Sequence, residues 1–124
     1  PKVELGPNFK INYPKLLTDS RSLKQDHAWL QELTNKYLGI SRDATGLNTA
    51  LNEFKARPAV KNSSTLEAAY FELQNMFLLA RLMLTAALKR DESRGGHFRS
   101  DFPTPVQKWR KHIIFQDSRV EVVK

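Results

Sequence analysis

Ser64-Thr65-Leu66-Glu67-Ala68-Ala69-Tyr70-Phe71-Glu72-Leu73-Gln74-Asn75-Met76-Phe77-Leu78-Leu79-Ala80-Arg81-Leu82-Met83-Leu84-Thr85-Ala86-Ala87-Leu88 is the stretch that decides the fold. It reads as one long helix. Ser63 or Ser64 can cap it, and Glu67, three residues after Ser64, completes a capping box. Leu66, Ala69, Tyr70, Leu73, Phe77, Ala80, Leu84, Ala87 and Leu88 recur at three and four residues and form its main stripe. After Asn75 the apolar character spreads round the helix, through Met76, Leu78, Leu79, Leu82, Met83 and Ala86. A helix that is apolar all round must be covered all round. The chain offers two shorter helices, enough for about half of that surface. The rest calls for the returning C-terminal segment or for a domain outside this chain, so an interface is expected.

Upstream, Leu23, His27, Leu30, Leu33 and Tyr37 share one helical face from about Ser22, with Trp29 beside it and Gly39 as a stop. Asp43 is the expected N-cap of a second helix whose apolar set is Leu47, Ala50, Leu51 and Phe54. That helix must end near Arg57, because Pro58 follows. Residues 1–21 carry Gly6, Pro7 and Pro14 and no clear period, so they read as an extended arm and inter-domain connection. Ala59 to Ser64 reads as a polar turn.

Downstream, the long helix is expected to reach about Glu92 and to end at Gly95-Gly96, since glycine takes positive backbone angles at little cost. The connector 92–103 then packs Glu92, Ser93, Arg94, His97, Arg99 and Asp101 into a turn-rich loop closed by Pro103. Arginine offers a planar fork of donors, so Arg94, His97 and Arg99 could hold a carboxylate or a phosphate. Alternatively they tie the loop to backbone carbonyls and to Glu92 and Asp101. Val106 to Lys111 suggests a short helical turn. His112–Phe115 and Val120–Val123 are β-rich, with Gln116 to Arg119 as a four-residue hairpin loop. The fold class expected is all-α: an antiparallel three-helix bundle with a long third helix, spanning 22–111, and a β-hairpin tail over 112–124.

At 124 residues the chain is one domain's worth. It has no cysteine, which fits a cytoplasmic setting without disulfides or thiol chemistry. The first residues lack an apolar core segment, so no signal peptide is expected. The apolar run Met76 to Leu88, interrupted by Arg81, falls short of the roughly 20 residues that cross a bilayer, and no membrane partner is expected. Of the net charge of +7, residues 89–112 contribute +4, from seven basic against three acidic side chains. Lys108-Trp109-Arg110-Lys111 sets an aromatic among cations, the pattern of single-strand nucleic-acid binders, and a small basic nucleic-acid-binding module is the alternative of another class. No recognised motif accompanies it, and the preferred reading has no nucleic-acid partner.

Catalytic constellations are thin. The three histidines, His27, His97 and His112, have no His-x-x-x-His spacing, so no metal site is expected. His27 reads as a core-edge residue and His112 as the opening of a strand. Ser93, His97 and Asp101 are four apart, but only a continuous helix would align them, and Gly95-Gly96 argues against one. Asp91 and Glu92 are adjacent and point apart on a helix.

Arg90 to Pro103, with its Glu92-Ser93-Arg94-Gly95 core, resembles the C-terminal signature of the succinate dehydrogenase and fumarate reductase flavoprotein superfamily. Leu38-Gly39-Ile40-Ser41-Arg42-Asp43 with Gly46-Leu47, Glu72-Leu73-Gln74-Asn75-Met76 with Ala80-Arg81, and Trp109 with His112-Ile113 extend the likeness from about Tyr37 to Phe115. Within the superfamily the chain is most similar to the C-terminal helical domain of the L-aspartate oxidase family. Gly96 stands where that family often has alanine, and Phe98 where it often has tyrosine. The resemblance implies a parent oxidoreductase that uses FAD to convert L-aspartate to iminoaspartate, the first step of quinolinate and NAD synthesis. The family's flavin domain needs a Gly-x-Gly-x-x-Gly turn, and no spacing among Gly6, Gly39, Gly46, Gly95 and Gly96 supplies one. The chain therefore reads as a domain fragment that is inactive alone and binds no cofactor itself. Its expected partner is the flavin-binding domain of the same polypeptide, with Glu92, Ser93, Arg94, His97, Arg99 and Asp101 as the inter-domain contact motif. The fragment is also open to self-association through its uncovered face. No position matches the family's catalytic residues, so no catalytic, cofactor-binding or metal residue is named. A flavoprotein subunit of succinate dehydrogenase or fumarate reductase is the alternative parent.

Overall fold

The computed structural model describes residues 23–57, 68–116 and 119–123. Three helices, α1 (Leu23–Tyr37), α2 (Ala44–Ala56) and α3 (Ala68–Lys89), dominate these residues. Two short strands, β1 (Ser41–Arg42) and β2 (Phe98–Arg99), pair in parallel, Ser41 opposite Phe98 and Arg42 opposite Arg99. A 3-10 turn at Gln107–Trp109 leads to the antiparallel pair β3 (His112–Gln116) and β4 (Arg119–Val123). The architecture is mostly α with two small sheets. The expected arm, the Ala59 to Ser64 turn and the capping box at Ser64 and Glu67 lie outside the described residues.

Both ends of α2 have a local cause. Asp43 caps α2 in extended geometry, its Oδ1 accepting from the Gly46 N–H at 2.8 Å. A Cβ at Gly46 would sit 3.3 Å from the Tyr37 ring, so a larger residue there needs the ring to shift. Arg57 ends the helix, turned to extended geometry before Pro58. The core lies where α3 meets α1 and α2: Leu33, Leu47, Ala50, Leu84 and Ala87 form one cluster, and Leu30, Leu73 and Ala80 a second. Trp29 and Phe54 pack against both, and Phe77 joins them from the second, with ring centroids 5.3–5.7 Å apart. Burying one such leucine contributes about 1.5–3 kcal/mol.

Several expectations are corrected. The third helix stops at Lys89, not Glu92, and Gly95 does not end it. Gly95, at φ +57°, instead forms a tight turn in which Arg94 and His97 exchange backbone hydrogen bonds of 2.8 and 3.0 Å. The connector is not wholly loop, since β2 pairs with the α1–α2 link. His27 faces solvent, and Asp26 beside it is the buried residue. The reason is a partner: Arg57 Nη2 lies 2.5 Å from Asp26 Oδ1 and its guanidinium stacks 4.0 Å over Trp29. The hairpin strands each run one residue further than expected, with Gln116 paired to Arg119. By length and composition α3 can span a membrane: it has 22 residues and a window of mean hydropathy 1.2. Counting only Met76 to Leu88 missed this. Leu73, Ala80, Leu84 and Ala87 are buried against the other helices, so one side of α3 belongs to the domain core.

Candidate functional site

The connector is built from acids and bases two residues apart. On a non-helical chain that spacing returns side chains to the same side, so Arg90, Glu92 and Arg94 meet, and Arg99 meets Asp101. Two buried charge centres result.

Arg99 is 1% exposed. Its Nε and Nη2 donate to Asp101 Oδ1 and Oδ2 at 2.7 and 2.6 Å, a bidentate pair. Its Nη1 donates to the carbonyls of Ala87, Leu88 and Arg90 at 2.9, 3.1 and 3.4 Å. These are the carbonyls that the end of α3 leaves without helical partners. Asp101 Oδ2 in turn accepts from the Ala44 N–H at 2.9 Å, at the start of α2. The guanidinium therefore sits at the negative end of one helix and the carboxylate at the positive end of another. The Arg99 fork holds the Asp101 carboxyl down at about 2, against burial that would raise it.

Glu92 is fully buried and accepts four bonds: from Arg94 Nε at 2.9 Å and Nη2 at 3.0 Å, from Arg90 Nη1 at 2.6 Å, and from the Val106 N–H at 2.7 Å. Arg94 chiefly, with the Val106 and Arg90 bonds, brings its carboxyl down to about 2 despite desolvation. Arg90 also donates to the carbonyls of Trp109 and Lys111 at 2.9 and 2.6 Å, fastening the C-terminal segment to the end of α3. Ser93 is buried between the centres. Its Oγ accepts from the Arg99 N–H and donates to the Phe102 carbonyl, both at 2.8 Å.

His97 is half-buried. Its Nε2 lies 3.1 Å from the Arg90 carbonyl, which only accepts, so Nε2 carries the proton and donates. Its Nδ1 lies 3.4 Å from Arg42 Nη1 and accepts. Burial first, then the cations of Arg42, Arg90 and Arg99, push the imidazole below its ordinary range. Asp91 takes the Trp109 indole N–H and Lys108 Nζ, the latter at 2.9 Å. Burial would raise its carboxyl, and those two bonds outweigh it to leave it lowered. Trp109 is itself buried under Arg90, so the indole that a nucleic-acid reading needs is not available for stacking.

All six sequence-predicted residues thus fall in one network, with Arg94 the most exposed of its arginines at 41%. Sequence reasoning missed Arg42, Arg90 and the Ala44 N–H as members, because their connector partners are 54 or more residues away, or, for Arg90, include backbone carbonyls. It also missed Asp26 with Arg57, for which no periodicity gives a signal. Among the described residues no group of three His, Asp or Glu side chains converges to hold a metal. The second candidate is the uncovered side of α3. Met76, Leu79 and Met83, at three- and four-residue spacing, are 41, 58 and 48% exposed, and Phe71, on a different face, is 48% exposed.

A family model described as fumarate reductase flavoprotein C-term matches residues 27–123. The chain belongs to this fumarate reductase flavoprotein C-terminal family. An uncharacterized FAD-dependent oxidoreductase of Methanocaldococcus jannaschii is 34% identical over 117 residues, covering 86% of this chain and 22% of that protein. An L-aspartate oxidase of Halalkalibacterium halodurans is 41% identical over 87 residues, 68% of this chain and 17% of its own. Among solved structures, the Mycobacterium smegmatis Sdh1 complex in the apo form superposes with a TM-score of 0.61 at 26% identity, over 90% of this chain and 21% of that one. The chain thus spans about one fifth of the length of the relatives it matches. These names make the family one of flavoproteins. Within the connector the guanidinium groups of Arg90, Arg94 and Arg99 turn onto Glu92, Asp101 and backbone carbonyls.

Proposed function

We propose that this chain is the C-terminal domain of an FAD-dependent L-aspartate oxidase, and that it supports the flavin-binding domain of the same polypeptide by packing the open side of α3 against it. The parent enzyme would oxidise L-aspartate to iminoaspartate in the cytoplasm, opening quinolinate and NAD synthesis. All catalytic and flavin-holding groups then lie upstream, with residues 1–21 as the inter-domain connection, and this fragment alone is colourless and inactive. The observation that carries the reading is the stripe of Met76, Leu79 and Met83, left bare on a helix whose neighbouring face is core. The chain's share of about one fifth of its relatives' length supports a partner within the same polypeptide. Glu92, Ser93, Arg94, His97, Arg99 and Asp101 serve the same contact by fixing the connector's shape, with Arg94 outermost.

The test is Leu79→Glu in the full-length parent. The side chain is mostly solvated here, so this chain's own melting temperature stays unchanged, while the parent loses flavin on gel filtration and melts earlier. Unaltered flavin content in the parent would sink the docking reading. A flavoprotein subunit of succinate dehydrogenase or fumarate reductase is the second reading, favoured by the superposition on Sdh1. Mixing the parent anaerobically with L-aspartate or with succinate separates the two by which one bleaches the flavin.

A further inference from the structure

We infer that His97 is a proton-sensitive latch between the α1–α2 link and the connector. The inference does not depend on which flavoprotein the parent is. Arg42, on β1, reaches across to the connector with its Nη2 on the Gly96 carbonyl at 3.0 Å and its Nη1 on His97 Nδ1 at 3.4 Å, while its Nε holds the Gly39 carbonyl of its own link. His97 returns the contact by donating from Nε2 to the Arg90 carbonyl just past the end of α3. One neutral imidazole thus joins three elements, and it does so in one tautomer.

The surroundings fix what a proton does there. Facing the ring are Arg42 from β1, Arg90 from the end of α3 and Arg99 from β2. Glu92 is spent on Arg90 and Arg94, and Asp101 on Arg99, so both carboxylates are turned to other cations. A proton added at Nδ1 removes the lone pair that Arg42 uses and points a second N–H at a guanidinium N–H. Two donors and two positive charges then face each other in a half-buried site. The ring leaves, and Arg42 loses its side-chain acceptor on the connector. Because the folded state disfavours the charged ring, the latch holds above the histidine's unfolded range and is lost as pH falls below it. Glu92 and Asp101 titrate far lower, so this window belongs to histidine.

The experiment uses the full 124-residue chain with His27→Gln and His112→Gln, which leaves His97 as the sole imidazole. Its ring proton is followed by NMR against pH, folded and in urea. The expected result is a lower midpoint folded than unfolded, and a midpoint raised by Arg42→Gln. Adding His97→Gln, which keeps a donor for the Arg90 carbonyl, should flatten the fall of the melting temperature between about pH 7.5 and 5.5. Should that variant not fold, the titration and its response to Arg42→Gln carry the test. A folded midpoint at or above the unfolded one, or one indifferent to Arg42→Gln, overturns the latch.

Discussion

Replacing Arg99 with methionine separates a side chain that builds this domain from one that waits for another domain. Methionine keeps much of the volume and removes five side-chain hydrogen bonds, to Asp101, Ala87, Leu88 and Arg90. Three carbonyls at the end of α3 lose a donor in a site that is 1% exposed, and the Asp101 carboxylate loses its fork. Breaking a buried pair by removing one partner costs about 3–5 kcal/mol. Asp101 is 29% exposed and recovers some hydration, which puts the expectation at about 3 kcal/mol, the low end of that range. With about 2.1 cal/mol/K of unfolding entropy per residue, that is a drop of roughly 12 °C in Tm for a chain of this length. Urea unfolding and calorimetry of the chain at neutral pH measure both. A double variant, Arg99→Met with Asp101→Leu, should lose less than the sum of the singles, because no stranded carboxylate remains. A loss below about 1 kcal/mol in the single variant, the worth of an ordinary surface ion pair, would refute the reasoning.

Leu84, fully buried between α2 and α3, should cost about 3–5 kcal/mol as Leu84→Ala in the same urea experiment, whereas Met83→Ala on the open side should stay within about 0.5 kcal/mol. Acid should unfold the chain through its carboxylates. Glu92 and Asp101 fall from ordinary values of 4.5 and 3.8 to about 2 on folding, so their stabilisation is complete above pH 4.5 and drains away as pH drops toward 2. Glu92→Gln, followed by circular dichroism, should be less stable at neutral pH and lose less than the parent chain across that acid range.

What the residues revealed in advance depended on distance along the chain. The helices were legible because their signals are local: Asp43 with Gly46, Pro58 after Arg57, and leucines at three and four residues. The excess of apolar surface after Asn75 was also legible, and Met76, Leu79 and Met83 are where it emerges. The charge cluster was visible as composition, but its wiring was not. Nothing in the sequence near Arg99 says that its Nη1 will close the end of α3, or that Ala44 will find Asp101 across 57 positions. The extent of α3 was misjudged for the same reason: Gly95-Gly96 looked like a terminator, but Arg99 stops the helix at Lys89 from outside it. Asp26 stayed hidden because a buried carboxylate follows its cation, here Arg57 31 positions on, and not a period.

The bridge from Ala87 and Leu88 through Arg99 and Asp101 to Ala44 also sets an order of events. Two helices made early are finished by residues synthesised late, so a nascent chain emerging from the ribosome carries α2 and α3 with ragged ends until position 101 has cleared the exit tunnel. A release a dozen residues short of that point would leave the rods without their shared clasp, a half-assembled product for quality control to remove.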